Sequence, residues 1–213
     1  MNLEKFNCSE TSRPYPSTDI LFPMSWSKVA QILQEGGVAI IPSESSYGIA
    51  ALASNPKAIE KLYKIKQREV KKPSLLIVGS IKQAESLVKF NALAKSLINK
   101  FWPGSLTLVL EARDKTLSPL IYGDSDSLAV RFPNKKKLAT LALKIGTFIL
   151  PSANLTGQKP PFTKDEIDQS LIKKVDFLLD EPTDGNKVST LVDARGNYPV
   201  ILRAGAVSVE GVN

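Results

Sequence analysis

The chain has no histidine in its 213 residues and a single cysteine, Cys8. The first absence excludes a Ser-His-Asp or Cys-His catalytic engine and any imidazole metal site. The second excludes an intrachain disulfide and a thiolate zinc site, and it fits a reducing compartment. Any chemistry must then use Lys, Arg, carboxylates, hydroxyls or a metal on oxygen ligands. Such groups act by positioning and charge stabilisation, as in phosphoryl or nucleotidyl transfer. No apolar run approaches the roughly 20 residues of a membrane span, and the N-terminus lacks the basic-then-apolar layout of a signal peptide. A soluble, cytoplasmic protein is expected. Internal repeats and low-complexity segments are also missing. So are G-x-G-x-x-G after a strand and G-x-x-x-x-G-K-[ST], so neither a Rossmann domain nor a P-loop is expected.

What is present is ordinary in bulk and particular in detail. Hydrophobic residues make up 43% and charged residues 23%, as in soluble globular domains. The length suits one domain with a full core. The net charge of +7 admits a polyanionic partner, nucleotide phosphates or RNA, against the plainer reading of a mildly basic surface.

Periodicity divides the chain into alternating elements. Residues 1–24 are polar, with Pro14, Pro16 and Pro23, and read as an irregular arm. Ser25 reads as the N-cap of a helix that stops at Gly36-Gly37. Val38–Ile41 reads as a buried strand that ends in the polar loop P-S-E-S-S-Y-G, Pro42–Gly48. Asn55-Pro56 starts a helix. Leu75–Val78 is a strand, and Ser80 with Gln83 has capping-box spacing for the next helix. A helix is expected over 92–101, a strand over 106–111, loop over 114–127, a strand over 128–132 and a helix over 135–144. Thr147–Leu150 reads as a strand before the loop P-S-A-N, and Thr163 with Glu166 as a second capping box. Strands at 175–179, 190–192 and 200–203 close the chain, leaving 208–213 as a tail. Strands and helices mix without strict βαβ alternation, which predicts one α/β domain with a mixed sheet over 25–207.

Several polar groups fall at expected strand ends, where α/β folds present binding sites. Ser43, Ser45 and Ser46 can donate and accept hydrogen bonds, and Glu44 can hold a cation or an ammonium group. Six cations, Lys61, Lys64, Lys66, Arg68, Lys71 and Lys72, lie within twelve residues. They suit either a solvated helix end or a phosphate clamp. Arg131 in A-V-R-F-P and Arg203 in I-L-R-A-G are charges inside apolar strands, so each should meet a carboxylate or a bound anion. Ser152 and Asn154 fit an ordinary turn, or else a nucleotide or ribose contact by Asn154 and a small polar ligand at Ser152.

In order, P-S-E-S-S-Y-G, K-Q-R (66–68), K-P (72–73) and F-W-P-G-S-L-T-L-V-L (101–110) are followed by A-V-R-F-P (129–133), S-A-N-L-T-G (152–157), S-T-L-V-D (189–193) and I-L-R-A-G (201–205). Through these eight motifs the chain resembles the Sua5/YrdC/YciO family, the L-threonylcarbamoyladenylate synthases. The resemblance implies a single α/β domain, a twisted mixed sheet with helices around a large basic cavity. It also implies the short, single-domain type, without the second domain of longer members. The implied activity converts L-threonine, bicarbonate and ATP, with Mg²⁺, into L-threonylcarbamoyladenylate and pyrophosphate. A separate threonylcarbamoyl transferase complex then modifies adenosine 37 of tRNA.

Carried over by motif, Lys66 and Arg68 would act on the phosphates in catalysis. ATP would be bound by Lys66, Arg68, Lys72, Ser127, Asn154, Thr163 and Arg203, with Thr163 at a spacing after S-A-N that differs from the family's. Threonine would be held by Ser45, Tyr47, Arg131, Ser152 and Ser189, with Thr107 in the same cavity; no protein metal ligand is implied. The chain departs from the family pattern in having serines at 43 and 45 for threonines, Lys72 before the proline, and Ile77 near a usual histidine. Two rivals are a non-catalytic paralogue that binds tRNA or double-stranded RNA, and a carbamoyl-transfer subdomain of the hydrogenase-maturation kind.

Overall fold

Val38–Ile41 is apolar without interruption because it is covered on both faces. Ile40 packs into one hydrophobic cluster, while Ala39 and Ile41 point into another on the opposite side of the sheet. The structure, a computed structural model, describes residues 22–67, 74–113 and 115–211. The expected arm therefore lies, except for Phe22, Pro23 and Met24, outside the described residues.

The elements run α1 (Met24–Gln34), β1 (Ala39–Pro42), β2 (Tyr47–Leu52), α2 (Pro56–Lys66), β3 (Leu75–Ile77), α3 (Ile81–Leu87) and α4 (Ala92–Phe101). There follow β4 (Leu106–Glu111), α5 (Pro119–Tyr122), β5 (Ser127–Arg131), α6 (Lys136–Ile145) and β6 (Phe148–Ile149). A 3₁₀ turn (Lys164–Glu166), α7 (Gln169–Ile172), β7 (Phe177–Leu178), β8 (Thr190–Asp193) and β9 (Val200–Arg203) complete the order. Among the described residues the strands form one nine-stranded sheet, ordered β7-β1-β2-β6-β3-β5-β4-β8-β9. It is mixed: β1–β7, β3–β5 and β4–β8 are parallel, and the other pairings are antiparallel.

Helices cover both faces. α1 and α6 bury Trp26, Leu33, Leu138 and Leu141 against Ile41, Ile77 and Phe148. On the other face α2 and α4 set Ile59, Leu62, Leu97 and Ile98 against Ile49, Leu76, Leu108 and Val130. At about 25 cal/mol per Å² of apolar surface removed from water, these two layers dominate the folding free energy.

The local signals held in most places. Asn55 accepts from the Ala58 amide at 3.1 Å and Pro56 opens α2. The Thr163–Glu166 box closes as spaced. Ser80 caps Gln83, but the Gln83 amide oxygen takes the Gly79 N–H at 2.7 Å, so the reciprocal half goes one residue upstream. Other readings need correction. Helix α1 begins after Pro23, and Ser25 lies inside it, donating to Glu181 Oε1 at 3.1 Å instead of capping. The chain after Ser46 is not open loop: Tyr47–Leu52 returns as β2, hydrogen-bonded to β1. The single turn α5 falls within the stretch read as loop, and α7 is a further turn that the periodicity does not signal.

Candidate anion-binding cavity

Four strand ends and two loops meet around a cavity of about 370 Å³. The β1–β2 turn supplies Ser43, Ser45 and Ser46, β5 supplies Ala129 and Arg131, and β4 supplies Thr107. Leu150 to Ser152, following β6, form another wall, and Val188, Ser189, Leu202 and Arg203 close the far side.

The β1–β2 turn builds itself from serine. Ser43 Oγ accepts from the amides of Ser45 and Ser46, both at 3.1 Å, and donates to the Ser46 carbonyl at 2.7 Å. A hydroxyl has one hydrogen and two lone pairs, so these three bonds use Ser43 fully. Ser45 Oγ lies 3.0 Å from Ser43 Oγ and accepts from Arg131 Nη1 at 3.2 Å. The Ser45 hydroxyl thus stands between Ser43 and Arg131 on the cavity wall. Ser43 is architectural, and Ser45 is the hydroxyl that serves the cavity.

Gly48 lets the opposite wall approach. A Cβ there would sit 2.7 Å from the Leu150 side chain and 3.1 Å from the Pro151 carbonyl. The bare Cα permits the Ile49 amide to reach Pro151 at 2.8 Å and the Ala153 amide to reach Tyr47 at 2.8 Å. This clamps the S-A-N loop beside the turn. From below, Lys66 at the end of α2 is buried, and its ammonium donates to the carbonyls of Ser152 and Asn154. Lys66 thereby fixes Ser152 on the cavity wall.

Arg131 ends the central strand β5 and is 1% exposed. Its Nε lies 3.5 Å from Glu44 Oε1, the only acidic group within ion-pair range of it among the described residues. Arg203 sits on the edge strand. It donates from Nε and Nη2 to the Ser189 carbonyl (3.1 and 2.9 Å) and from Nη2 to Ser189 Oγ at 3.1 Å. The Ser189 hydroxyl also pairs with Thr107 at 2.9 Å. Desolvation, and then the like charge of Arg131, depress the pKa of Arg203 below its ordinary value. Two guanidiniums share one small cavity, with a single buried carboxylate beside Arg131, an arrangement that favours an anion bound within.

The structure therefore brings Ser45, Arg131, Ser152, Ser189, Arg203 and Thr107 together. Tyr47 is turned away, its phenol donating to the Glu181 carbonyl, and burial followed by Asp180 and Glu181 raises its pKa. Ser127 begins β5 on the same face as Ala129 and Arg131, with its hydroxyl 2.9 Å from Ser125 Oγ. Asn154 spends its amide hydrogens on the carbonyls of Leu155 and Gln158, leaving a buried Oδ1 without a hydrogen bond among the described residues. Thr163 caps the 3₁₀ turn. Arg68 and Lys72 lie outside the described residues. Leu75, Ala129, Val188, Leu191 and Leu202 also line the wall without having been singled out in the sequence; the alternation of β5 about Arg131 would have found Ala129.

Fold and cavity together define a mixed-sheet α/β protein in which two arginines and several hydroxyls line one pocket. The sequence matches the Sua5/YciO/YrdC family, described as telomere recombination, over residues 31–205, and the chain belongs to that family. It is 32% identical to a threonylcarbamoyl-AMP synthase of Bacillus subtilis (strain 168) over 189 residues, covering 87% of this chain and 55% of the relative. It is 33% identical to that of Vibrio campbellii over 186 residues, 85% of this chain and 99% of the relative. The crystal structure of P. abyssi Sua5 complexed with L-threonine superposes with a TM-score of 0.78 at 29% identity, covering 84% of this chain and 54% of that one. The chain thus spans about half the length of some relatives and nearly all of others.

Proposed function

We propose that this chain makes L-threonylcarbamoyladenylate from L-threonine, bicarbonate and ATP, releasing pyrophosphate. The observation that carries the reading is the pairing of Arg131 and Arg203 across one cavity walled by Ser45, Ser152 and Ser189. Support comes from the relatives that bear the synthase name and from the threonine complex of a structural neighbour.

In this reading Arg131 takes the threonine carboxylate, for which a guanidinium fork is the matched shape. Ser45, Ser152 and Ser189 hold the remaining polar atoms. The substrate amine captures CO2 or bicarbonate as a carbamate, a carbamate oxygen attacks the α-phosphate, and pyrophosphate leaves. Lys66, Arg68 and Arg203 offset charge that develops on the phosphates. Lys72, Ser127, Asn154 and Thr163 contact the nucleotide. The chemistry needs no covalent enzyme intermediate, in keeping with a chain that lacks histidine. Among the described residues no group of three or more His, Cys, Asp or Glu stands together. Mg²⁺ would therefore arrive on the ATP phosphates with its waters, neutralising their charge.

No helix among the described residues is long and apolar enough to cross a membrane. We place the reaction in the cytoplasm, upstream of a transferase complex that passes the threonylcarbamoyl group to tRNA. Purified protein given all three substrates should release pyrophosphate only when threonine and bicarbonate are both present. Release that ignores either one, from a well-folded sample, contradicts the reading.

A second reading, RNA binding, draws on a hollow outside the cavity lined by Lys57, Lys61, Lys64 and Lys174. Lys61 is already paired with Asp176 at 2.6 Å, and Glu60 shares the hollow, which weakens it as a polyanion site. Tight, salt-dependent duplex binding without ATP or threonine binding would favour that reading.

A further inference from the structure

Glu44 is the second residue of the Ser43–Ser46 turn that walls the cavity, yet it is not among the residues that line it. Both oxygens are buried, and neither accepts a hydrogen bond among the described residues. The chain around Gly185 packs against the backbone of the turn: a Cβ on Gly185 would lie 2.5 Å from the Glu44 carbonyl, and the Asp184 amide reaches the Ser43 carbonyl at 3.3 Å. A carboxylate held in a protein interior without donors is costly unless a cation faces it. The cation that faces it is Arg131, whose Nε lies 3.5 Å from Glu44 Oε1 and makes no hydrogen bond of its own.

The geometry of guanidinium gives this contact a direction. Its five N–H bonds lie in one plane and point outward along fixed edges. With the Nε edge turned to Glu44, the Nη1 edge meets Ser45 Oγ at 3.2 Å on the cavity wall. Ser45 alone, a single neutral acceptor, would not fix the plane of the fork. A negative charge behind Arg131 also offsets the repulsion between its guanidinium and that of Arg203.

We propose that Glu44 is a positioning residue: it holds the Nε edge of Arg131 so that the Nη edges present a fork to the substrate carboxylate. The proposal rests on the reading that Arg131 receives threonine. Glu44 itself need not touch the substrate.

Two measurements on the full chain test it. The first is ¹⁵N–¹H NMR of the arginine side chains without substrate. The Arg131 Nε–H signal should be shielded from exchange in the wild type, move in Glu44→Gln, and be lost to exchange in Glu44→Ala. The second is calorimetry with L-threonine and, separately, ATP. A charge-assisted contact is worth enough that Glu44→Gln should weaken threonine about tenfold and Glu44→Ala more, with ATP affinity unchanged. Because Glu44 acts through Arg131, its substitution should cost little further in an Arg131→Lys background. Where Glu44→Ala fails to fold, Glu44→Gln against the wild type decides.

Threonine affinity unchanged in Glu44→Gln, or the same loss in the Arg131→Lys background, overturns the proposal. If the wild type itself takes no threonine, the reading of the cavity fails, and the NMR decides the positioning role alone. An Arg131 Nε–H signal that does not move in Glu44→Gln then overturns it.

Discussion

The two arginines of the cavity stand on opposite kinds of ground. Arg131 ends β5, with β3 and β4 paired on either side of it, and is 1% exposed. Arg203 ends β9, the last strand of the sheet, whose Val200, Ile201 and Leu202 are 57%, 47% and 54% exposed. The first guanidinium is fixed by the core, by Ser45 and by Glu44. The second is tied to one residue, Ser189, through its carbonyl and hydroxyl. A central strand gives a rigid recognition point for a small zwitterion, while an edge strand gives a cation that can follow a larger, more mobile polyphosphate. The division matches the proposed substrates, and it can be broken experimentally.

The largest effect is expected at the rigid end. Arg131→Ala removes the carboxylate fork and leaves Glu44 buried without a cation. Losing one partner of a buried charge pair costs about 2–5 kcal/mol, so calorimetric threonine affinity should fall by roughly 100-fold or more. A melting temperature lowered by several degrees should accompany it.

Next comes the close packing just after β9. Gly205 follows β9, and a Cβ there would lie 2.4 Å from the Val188 carbonyl and 2.5 Å from backbone atoms of Ser189 and Thr190. Gly205→Ala should force the chain off Ser189 and destabilise by about 1–3 kcal/mol, read as an earlier chemical unfolding midpoint. Nucleotide affinity should fall with it, since the Arg203 anchor moves.

Arg203→Ala should weaken ATP by about tenfold, in the range of one charge-assisted hydrogen bond, while changing threonine affinity by much less. Stability should barely change, because β9 is exposed along its length.

The smallest effect concerns the strap between β7 and β8 that carries Ser189. There Glu181 binds Trp26, Ser25 and Lys137. Burial pushes the Glu181 pKa up, but Lys137, Trp26 and Ser25 outweigh it and leave the group below its ordinary value. A folded-state pKa below the unfolded one adds stability that is present above the ordinary carboxylate range and lost as pH falls through the lowered value. Thermal melts should therefore hold steady near neutrality and drop in acid, with that drop smaller in Glu181→Gln.

The arginines also mark where the sequence could be read and where it could not. A charge inside A-V-R-F-P is conspicuous because apolar strands rarely carry one unpaired, so Arg131 declared itself. The Asn55-Pro56 start of α2 and the strand over 106–111 are local signals, and they stand in the structure as read. Strand β2 is different: Gly48, Ala50 and Ala51 have little strand preference of their own. Their conformation follows from pairing with β1 and from the close approach of Leu150 and Pro151 to Gly48, neither of which is adjacent in the chain. Tyr47 sits within the most telling motif, yet its phenol reaches for Glu181 far along the sequence. Glu44 could be seen as a possible cation holder, but its partner, Arg131, is fixed only by the fold.

The two cations have separate duties, and one crossed experiment addresses that directly: calorimetry of L-threonine and of ATP against Arg131→Ala and Arg203→Ala. Threonine binding lost only in Arg131→Ala, with ATP binding weakened only in Arg203→Ala, is the predicted result. Equal loss of both ligands in both variants, or retained threonine binding in a folded Arg131→Ala, would contradict it.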